Sequence, residues 1–136
     1  MDEVHPKAQW VELPEDLSAI EFVEDVAHII VPIEAVDRLP FKNEQRGDTE
    51  RLRKLIRSIR RHGYNNFFPI VVRLGRRGRW VIVDGGNRLT AARIVSREFF
   101  TNLFGRKVRD IYFILFRTPL SNTRIDDPPD DEPKTG

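Results

Sequence analysis

Asp84-Gly85-Gly86-Asn87-Arg88 is the stretch of this chain in which residue types suited to holding an anion stand side by side. Glycine reaches backbone angles closed to other residues, so the chain can turn sharply here and present its amide hydrogens. The flanking sequence supplies the frame: Trp80-Val81-Ile82-Val83 has strand character, and Leu89-Thr90-Ala91-Ala92-Arg93-Ile94 is a good helix former. Strand, tight turn and helix are expected in that order. At the start of such a helix the free amides and the dipole favour an anion, and phosphate suits them best. A strand-to-helix connection with no ligand fits the same five residues, and taken alone they leave the two readings even.

A phosphate site becomes a phosphotransfer or hydrolysis site when a carboxylate directs the acceptor and cations spread the charge. Asp84 beside the glycines is the first candidate, with Glu44 and Glu50 next. Each has a structural reading as well: Asp84 can cap the following helix, and Glu50 can favour the N-terminus of its own. His28 stands alone in the apolar run Ala27 to Val31, with no ligand partner at metal spacing, so it reads as structural and no metal cluster is expected.

The elements that must position these residues are legible from periodicity. Leu52, Leu55, Ile56 and Ile59 recur at helical spacing from a start near Asp48 or Thr49, and Gly63 marks the stop. The other face of that helix carries Arg51, Arg53, Lys54, Arg57, Arg60 and Arg61, which fits a solvated face or one turned to an anion. Pro69 to Leu74 and Arg79 to Val83 form a β-hairpin around Gly75-Arg76-Arg77-Gly78. Arg73, Arg76, Arg77 and Arg79 make its tip the densest basic cluster, suited to a nucleic-acid backbone or simply to solubility. Ahead of the hairpin, Phe67 and Phe68 either plug the core or line a cleft where a flat base stacks, and core filling is the preferred expectation. Ala27 to Val31 and Asp110 to Phe116 read as further strands, and Asp37 to Asp48 as irregular.

Composition narrows the classes. With 136 residues one domain is expected, and without cysteine every thiol mechanism, disulfide and cysteine zinc site is excluded. No apolar run reaches membrane-spanning length and the start Met1-Asp2-Glu3 lacks a signal-peptide pattern, so a cytoplasmic protein with no membrane partner is expected. The charge is uneven: residues 1–40 carry 2 basic and 10 acidic side chains, residues 41–124 carry 20 and 6, and residues 125–136 carry 1 and 5. A basic middle suits a nucleotide or nucleic acid, while the acidic ends either lie across it or stay solvated. The expected organisation is an acidic extension packed on the domain (1–26, with a helix from Pro14 that buries Leu17 and Ile20, and Glu21 to Val26 either continuing it with Val23 buried or forming a short extended segment), the domain itself (27–120) and a disordered acidic tail (121–136).

Four pieces in this order resemble the ParB/sulfiredoxin superfamily, in particular a stand-alone ParB-like N-terminal ("ParB-like nuclease") domain. They are Ile33 to Val36 followed by Gln45-Arg46, Leu55 to Gly63, Pro69-Ile70-Val71-Val72-Arg73, and Asp84 to Ala92 with its Gly-x-x-Arg-x-x-Ala-Ala pattern. The resemblance implies an α+β fold, a mixed sheet with a β-hairpin and two main helices. It places a strand at Ile33 to Val36 and a nucleoside triphosphate, ATP or CTP with Mg²⁺, at the second helix. Gly85, Gly86, Asn87 and Arg88 would hold its phosphates, Arg51 and Ser58 would face them, Arg46 and Arg73 would stand at the rim, and Pro69 would sit near the base. Gly86 falls where sulfiredoxin has its cysteine, which excludes sulfinic acid reduction, and where ParB CTPases carry a glutamate. The loop from Gly63 to Pro69 is longer than the usual ParB spacing, and the helix-turn-helix and dimerisation regions of a partition protein are expected to be absent. Three functions follow: a nucleotide-phosphate-binding domain, with binding expected ahead of hydrolysis or phosphate transfer through Asp84 or Glu44; a DNA-binding or nuclease-like protein using Arg73, Arg76, Arg77 and Arg79, with binding expected ahead of cleavage; or an interaction module that has lost its ligand.

Overall fold

Alternation of apolar residues builds the middle of the sheet. In the computed structural model, which describes residues 8–42, 49–102 and 108–117, β1 is Gln9–Trp10, β2 Val26–Pro32, β3 Phe41–Lys42, β4 Ile70–Leu74, β5 Trp80–Asp84 and β6 Asp110–Phe116. The helices are α1 Ile33–Val36, α2 Thr49–His62 and α3 Gly86–Asn102. In β2, Ala27, Ile29 and Val31 are buried and their neighbours half-buried, the period-2 pattern of a strand with one face on a core. It pairs antiparallel with β6 from Val26↔Phe116 to Pro32↔Asp110, and β4 joins β6 in parallel with Ile70 opposite Phe113. The sheet order is β1-β2-β6-β4-β5-β3. This is an α+β fold with a mixed sheet, the β4–β5 hairpin and two main helices, as the resemblance implies.

Leu89, Ala91, Ala92 and Val95 of α3 and Ile59 of α2 share one core cluster with Ile29, Ile70, Val72, Phe113 and Leu115 of the sheet. Trp80 packs edge-on against Phe113, with ring centroids 5.6 Å apart, and closes the β5 side of that core. α2 and α3 pack on each other and are tied by the Arg60–Glu98 ion pair, in which Arg60 Nε donates to Glu98 Oε1 at 2.8 Å. Gly63, at φ +88°, ends α2 by donating its N–H to Ile59 O at 2.8 Å.

Several local expectations are corrected. Ile33–Val36 is a one-turn helix and not a strand: Ile33 N–H makes one last bond across to Arg109 O at 2.9 Å, and the chain then turns because doing so buries Ile33, Ala35 and Val36 together. The helix expected from Pro14 shrinks to a 3₁₀ turn at Leu17–Ala19, whose Ser18 N–H is capped by Asp16 at 3.1 Å. So short a segment cannot offset the cost of nucleating an α-helix; Ile20 is buried as expected, while Val23 is 65% exposed and bridges to Val26, as the extended alternative has it. Phe41–Lys42 adds a short parallel strand beside β5 inside the stretch read as irregular. Phe67 and Phe68 do not fill the core: they are 51% and 53% exposed. Their neighbour Asn66 takes the buried place instead, donating to Asp110 O and Oδ1 and accepting from Tyr112 N–H at 3.1 Å. A polar side chain that replaces β-sheet partners in this way fixes the loop, and the phenylalanines that follow it are left outside.

Candidate functional site

The site starts at the end of β5. Val71 pairs with Asp84 but Val72 with Ile82, so Val83 is an extra residue in the strand and the alternation breaks there. Val83 and Asp84 are consequently both exposed, next to the turn. Gly85 then takes φ +98°, a backbone angle that favours glycine, and a Cβ at this position would stand 2.8 Å from Ile70 Cδ1, so that the buried Ile70 side chain would have to shift. Leu89 N–H makes the first helical bond, to Gly85 O at 2.9 Å. The amides of Gly86, Asn87 and Arg88 therefore precede the helical ladder and have no acceptor within it.

Across from this turn, α2 presents Arg51, Lys54, Leu55 and Ser58, whose spacing i, i+3, i+4, i+7 puts them on one face. Together with Ile82 to Arg88 they line an open cleft of about 620 Å³. That is within the usual size of a small-molecule site. Three cations and one carboxylate line it, so its field is positive. The carboxylate, Asp84, is 71% exposed and lies 3.7 Å from Arg88 Nη2. Arg88 reaches away along the loop that precedes β4: Nη1 donates to Phe68 O at 2.5 Å and to Pro69 O at 3.4 Å, and Cζ stands 5.7 Å from the Phe68 ring centre. Tyr64 lies close to the same guanidinium. Burial pushes its phenol up to about 12, with the Arg88 charge acting in the opposite direction, and its Oη is buried without a hydrogen-bond partner among the described residues.

Of the residues singled out in the sequence, the fold brings Arg51, Ser58, Asp84, Gly85, Gly86, Asn87 and Arg88 into this cleft. Pro69 touches it through its carbonyl on Arg88. Arg73 is not among the lining residues; it is half-buried in β4 opposite Val81, towards the hairpin tip. Arg76, Arg77 and Arg79 stand at that tip, where β5 begins, and the cleft stands where β5 ends. Glu44 and Arg46 lie outside the described residues, as does the tail from residue 121. Glu50 is exposed in the first turn of α2 and does not line the cleft. Lys54, Leu55, Ile82 and Val83 were not picked out as site residues; the helical spacing of Lys54 from Arg51 and Ser58 is the signal that finds it. Acids of the first 40 residues pair with Arg38, Arg117 and Arg93 through Glu15, Asp25 and Asp37, and none of these lines the cleft. His28 lies in β2 away from the cleft, with Nδ1 and Tyr112 Oη 2.8 Å apart. Among the described residues no group of three His, Cys, Asp or Glu side chains gathers to hold a metal, and no helix is long and apolar enough to cross a membrane.

This arrangement of a β5–α3 glycine turn facing a basic helix lies inside the region that a family model matches: the ParB N-terminal domain, over residues 19–103 of the 136. The chain belongs to the ParB N-terminal domain family. Among solved structures, this ParB N-terminal domain is similar to the C-terminally truncated chromosome-partitioning protein ParB from Caulobacter crescentus, determined in complex with CTP-gamma-S. The sequence identity is 20%, the TM-score is 0.41, and the match covers 70% of this chain and 46% of that one. The chain thus corresponds to less than half of that protein. No curated protein sequence gives a significant match.

Proposed function

We propose that the cleft binds the phosphates of a nucleoside triphosphate. One observation carries this reading: the amides that open the long helix α3 and the cations Arg51 and Lys54 converge on the same open cleft. The Ser58 hydroxyl lines it too, and the exposed rings of Phe67 and Phe68, joined to it through Arg88, offer a surface on which a base stacks. Mg²⁺ fits as a companion of the nucleotide, because it is commonly held by one or two carboxylates together with substrate phosphates, and Asp84 supplies one. Bound there, it would neutralise phosphate charge.

The side chains support binding ahead of turnover. Gly86 contributes none, and Asp84 is the one carboxylate among the lining residues, so hydrolysis or transfer rests on Asp84 directing water or an acceptor. Thermal melts with ATP, CTP and GTP, each with and without Mg²⁺, test the reading: a ligand at 100 times its Kd stabilises by about 2.7 kcal/mol. At least one nucleotide should raise the melting temperature of the native protein, and Arg51→Ala should diminish the rise. Absence of any rise with all three would overturn the proposal.

A second reading, contact with a nucleic-acid backbone, draws support from the exposed Arg76 and Arg77 at the hairpin tip. Such binding weakens steeply as salt is raised, by a slope of about −0.9 per phosphate neutralised in duplex DNA. Affinity unchanged by salt, or by Arg76→Ala with Arg77→Ala, would exclude it.

A further inference from the structure

Arg88 has the position of a phosphate ligand, at the start of a helix beside two glycines, yet its guanidinium is committed elsewhere. Nη1 donates to the main-chain carbonyls of Phe68 and Pro69, at 2.5 and 3.4 Å, and Cζ lies 5.7 Å from the Phe68 ring centre. Nη2 lies 3.7 Å from Asp84 Oδ2 and 3.1 Å from where a Gly85 Cβ would stand, so the group also packs across the turn itself. The loop needs such a tie. Asn66 fixes its first half to β6, but Phe67 and Phe68 beyond it are half exposed and pack edge-on against each other at 5.0 Å. A planar fork that meets two carbonyls and a ring at once is a task for arginine and not for lysine.

We infer that Arg88, which lines the cleft, is a positioning residue that holds the Phe67–Phe68 pair on its own far side, next to the cleft, so that the site prefers a base-bearing nucleotide over an inorganic polyphosphate. Phosphate recognition then falls to Arg51, Lys54 and the amides of Gly86 and Asn87. The inference rests on the cleft being the nucleotide site proposed above, but its structural half concerns the loop alone and is testable without ligand.

Calorimetric titrations with MgATP, MgCTP and magnesium tripolyphosphate are made on the native protein, Arg88→Ala, Arg88→Lys, Phe68→Ala and Arg51→Ala, with amide exchange of residues 64–68 followed in the unliganded proteins. Loss of a stacking platform weakens a base-bearing ligand by about tenfold or more. Arg88→Ala and Phe68→Ala should each weaken the preferred nucleotide by that factor; Phe68→Ala should leave tripolyphosphate within about twofold, Arg88→Ala, which also removes a lining charge, should weaken tripolyphosphate several-fold less than the nucleotide, Arg88→Lys should not restore the nucleotide, and Arg51→Ala should weaken both ligands alike. In the free protein, Arg88→Ala should speed exchange in the loop and Arg51→Ala should not. Equal loss of nucleotide and tripolyphosphate in Arg88→Ala, rescue by lysine, or unchanged loop exchange would each overturn the inference. If the native protein binds neither ligand, the nucleotide reading fails, and the exchange result still decides the role of Arg88 in the loop.

Discussion

β5 has a cationic surface at each end, and the two ends are built differently. At the Asp84 end, Gly85 brings the chain against Ile70, α3 begins at once, and Arg51 and Lys54 face the turn from α2, so the cations are concave and accompanied by helix-start amides. At the Trp80 end the chain reverses through a 3₁₀ turn at Arg76–Gly78, with Arg77 itself in the left-handed region at φ 58°, and Arg76 and Arg77 are exposed. Five residues of strand separate the two, roughly 16 Å at the usual rise, so one small ligand cannot use both. Arginine content alone does not distinguish them. Concavity does, because convergent donors with part of their water removed interact more strongly with an anion than charges splayed into solvent.

Glycine substitutions offer the widest separation between the two ends. Gly85→Ala meets both an unfavourable φ and a contact at 2.8 Å, whereas Gly78→Ala meets only an unfavourable φ of +72°, with nothing within 4 Å. Expected losses are about 3 kcal/mol or more for Gly85→Ala and about 1 kcal/mol for Gly78→Ala. Equal losses in denaturant melts would mean that the Ile70 contact has no weight. In ligand binding, Arg51→Ala combined with Lys54→Ala should weaken the nucleotide by about tenfold or more, whereas Arg76→Ala combined with Arg77→Ala should leave it within about twofold. The reverse outcome would move the anion site to the hairpin.

Smaller effects test the support around the cleft. Tyr64→Phe removes a buried hydroxyl that has no partner among the described residues, so it should be neutral or stabilise by up to about 1 kcal/mol; a loss would reveal an acceptor. Because burial raises the Tyr64 phenol from 10.0 to about 12, the folded state holds this proton more tightly than the unfolded one. Its contribution is complete below pH 10 and declines as pH rises towards 12, which a phenolate absorbance titration set beside alkaline melts can follow. Smallest is the α2–α3 pair. The hydrogen bond from Arg60 holds the Glu98 carboxyl below its ordinary value of 4.5, so its stabilisation is present above that pH and fades as pH falls through the lowered value. Arg60 is 47% exposed and solvent screens the pair, so Glu98→Gln should cost well under 1 kcal/mol, and less still in high salt.

Much of this was legible before the chain was folded. The change from strand to helix periodicity at Gly85, the stripe Leu52, Leu55, Ile56 and Ile59, and the glycines bounding the hairpin are local signals, and local signals survive in a single sequence. The side of the protein on which Phe67 and Phe68 lie was not legible. An aromatic pair reads the same in a core and on a rim, and the deciding contact, Asn66 with Asp110 and Tyr112, joins distant segments. The two-residue strand β3 was equally invisible, since Phe41 and Lys42 become a strand only because β5 has an edge to offer them.

The sequence by itself determined the order of elements, the glycine turn at the head of α3 and the concentration of arginine in the middle of the chain. Each depends on neighbours in the chain, through backbone freedom, helical period and composition. The tertiary structure alone decided that Arg51, Lys54 and Ser58 face that turn, that the hairpin arginines stand at the far end of β5, and that Arg88 grips the carbonyls of Phe68 and Pro69. A guanidinium takes the acceptors that the fold brings within about 3 Å of it. No spacing rule within one helix specifies which these will be.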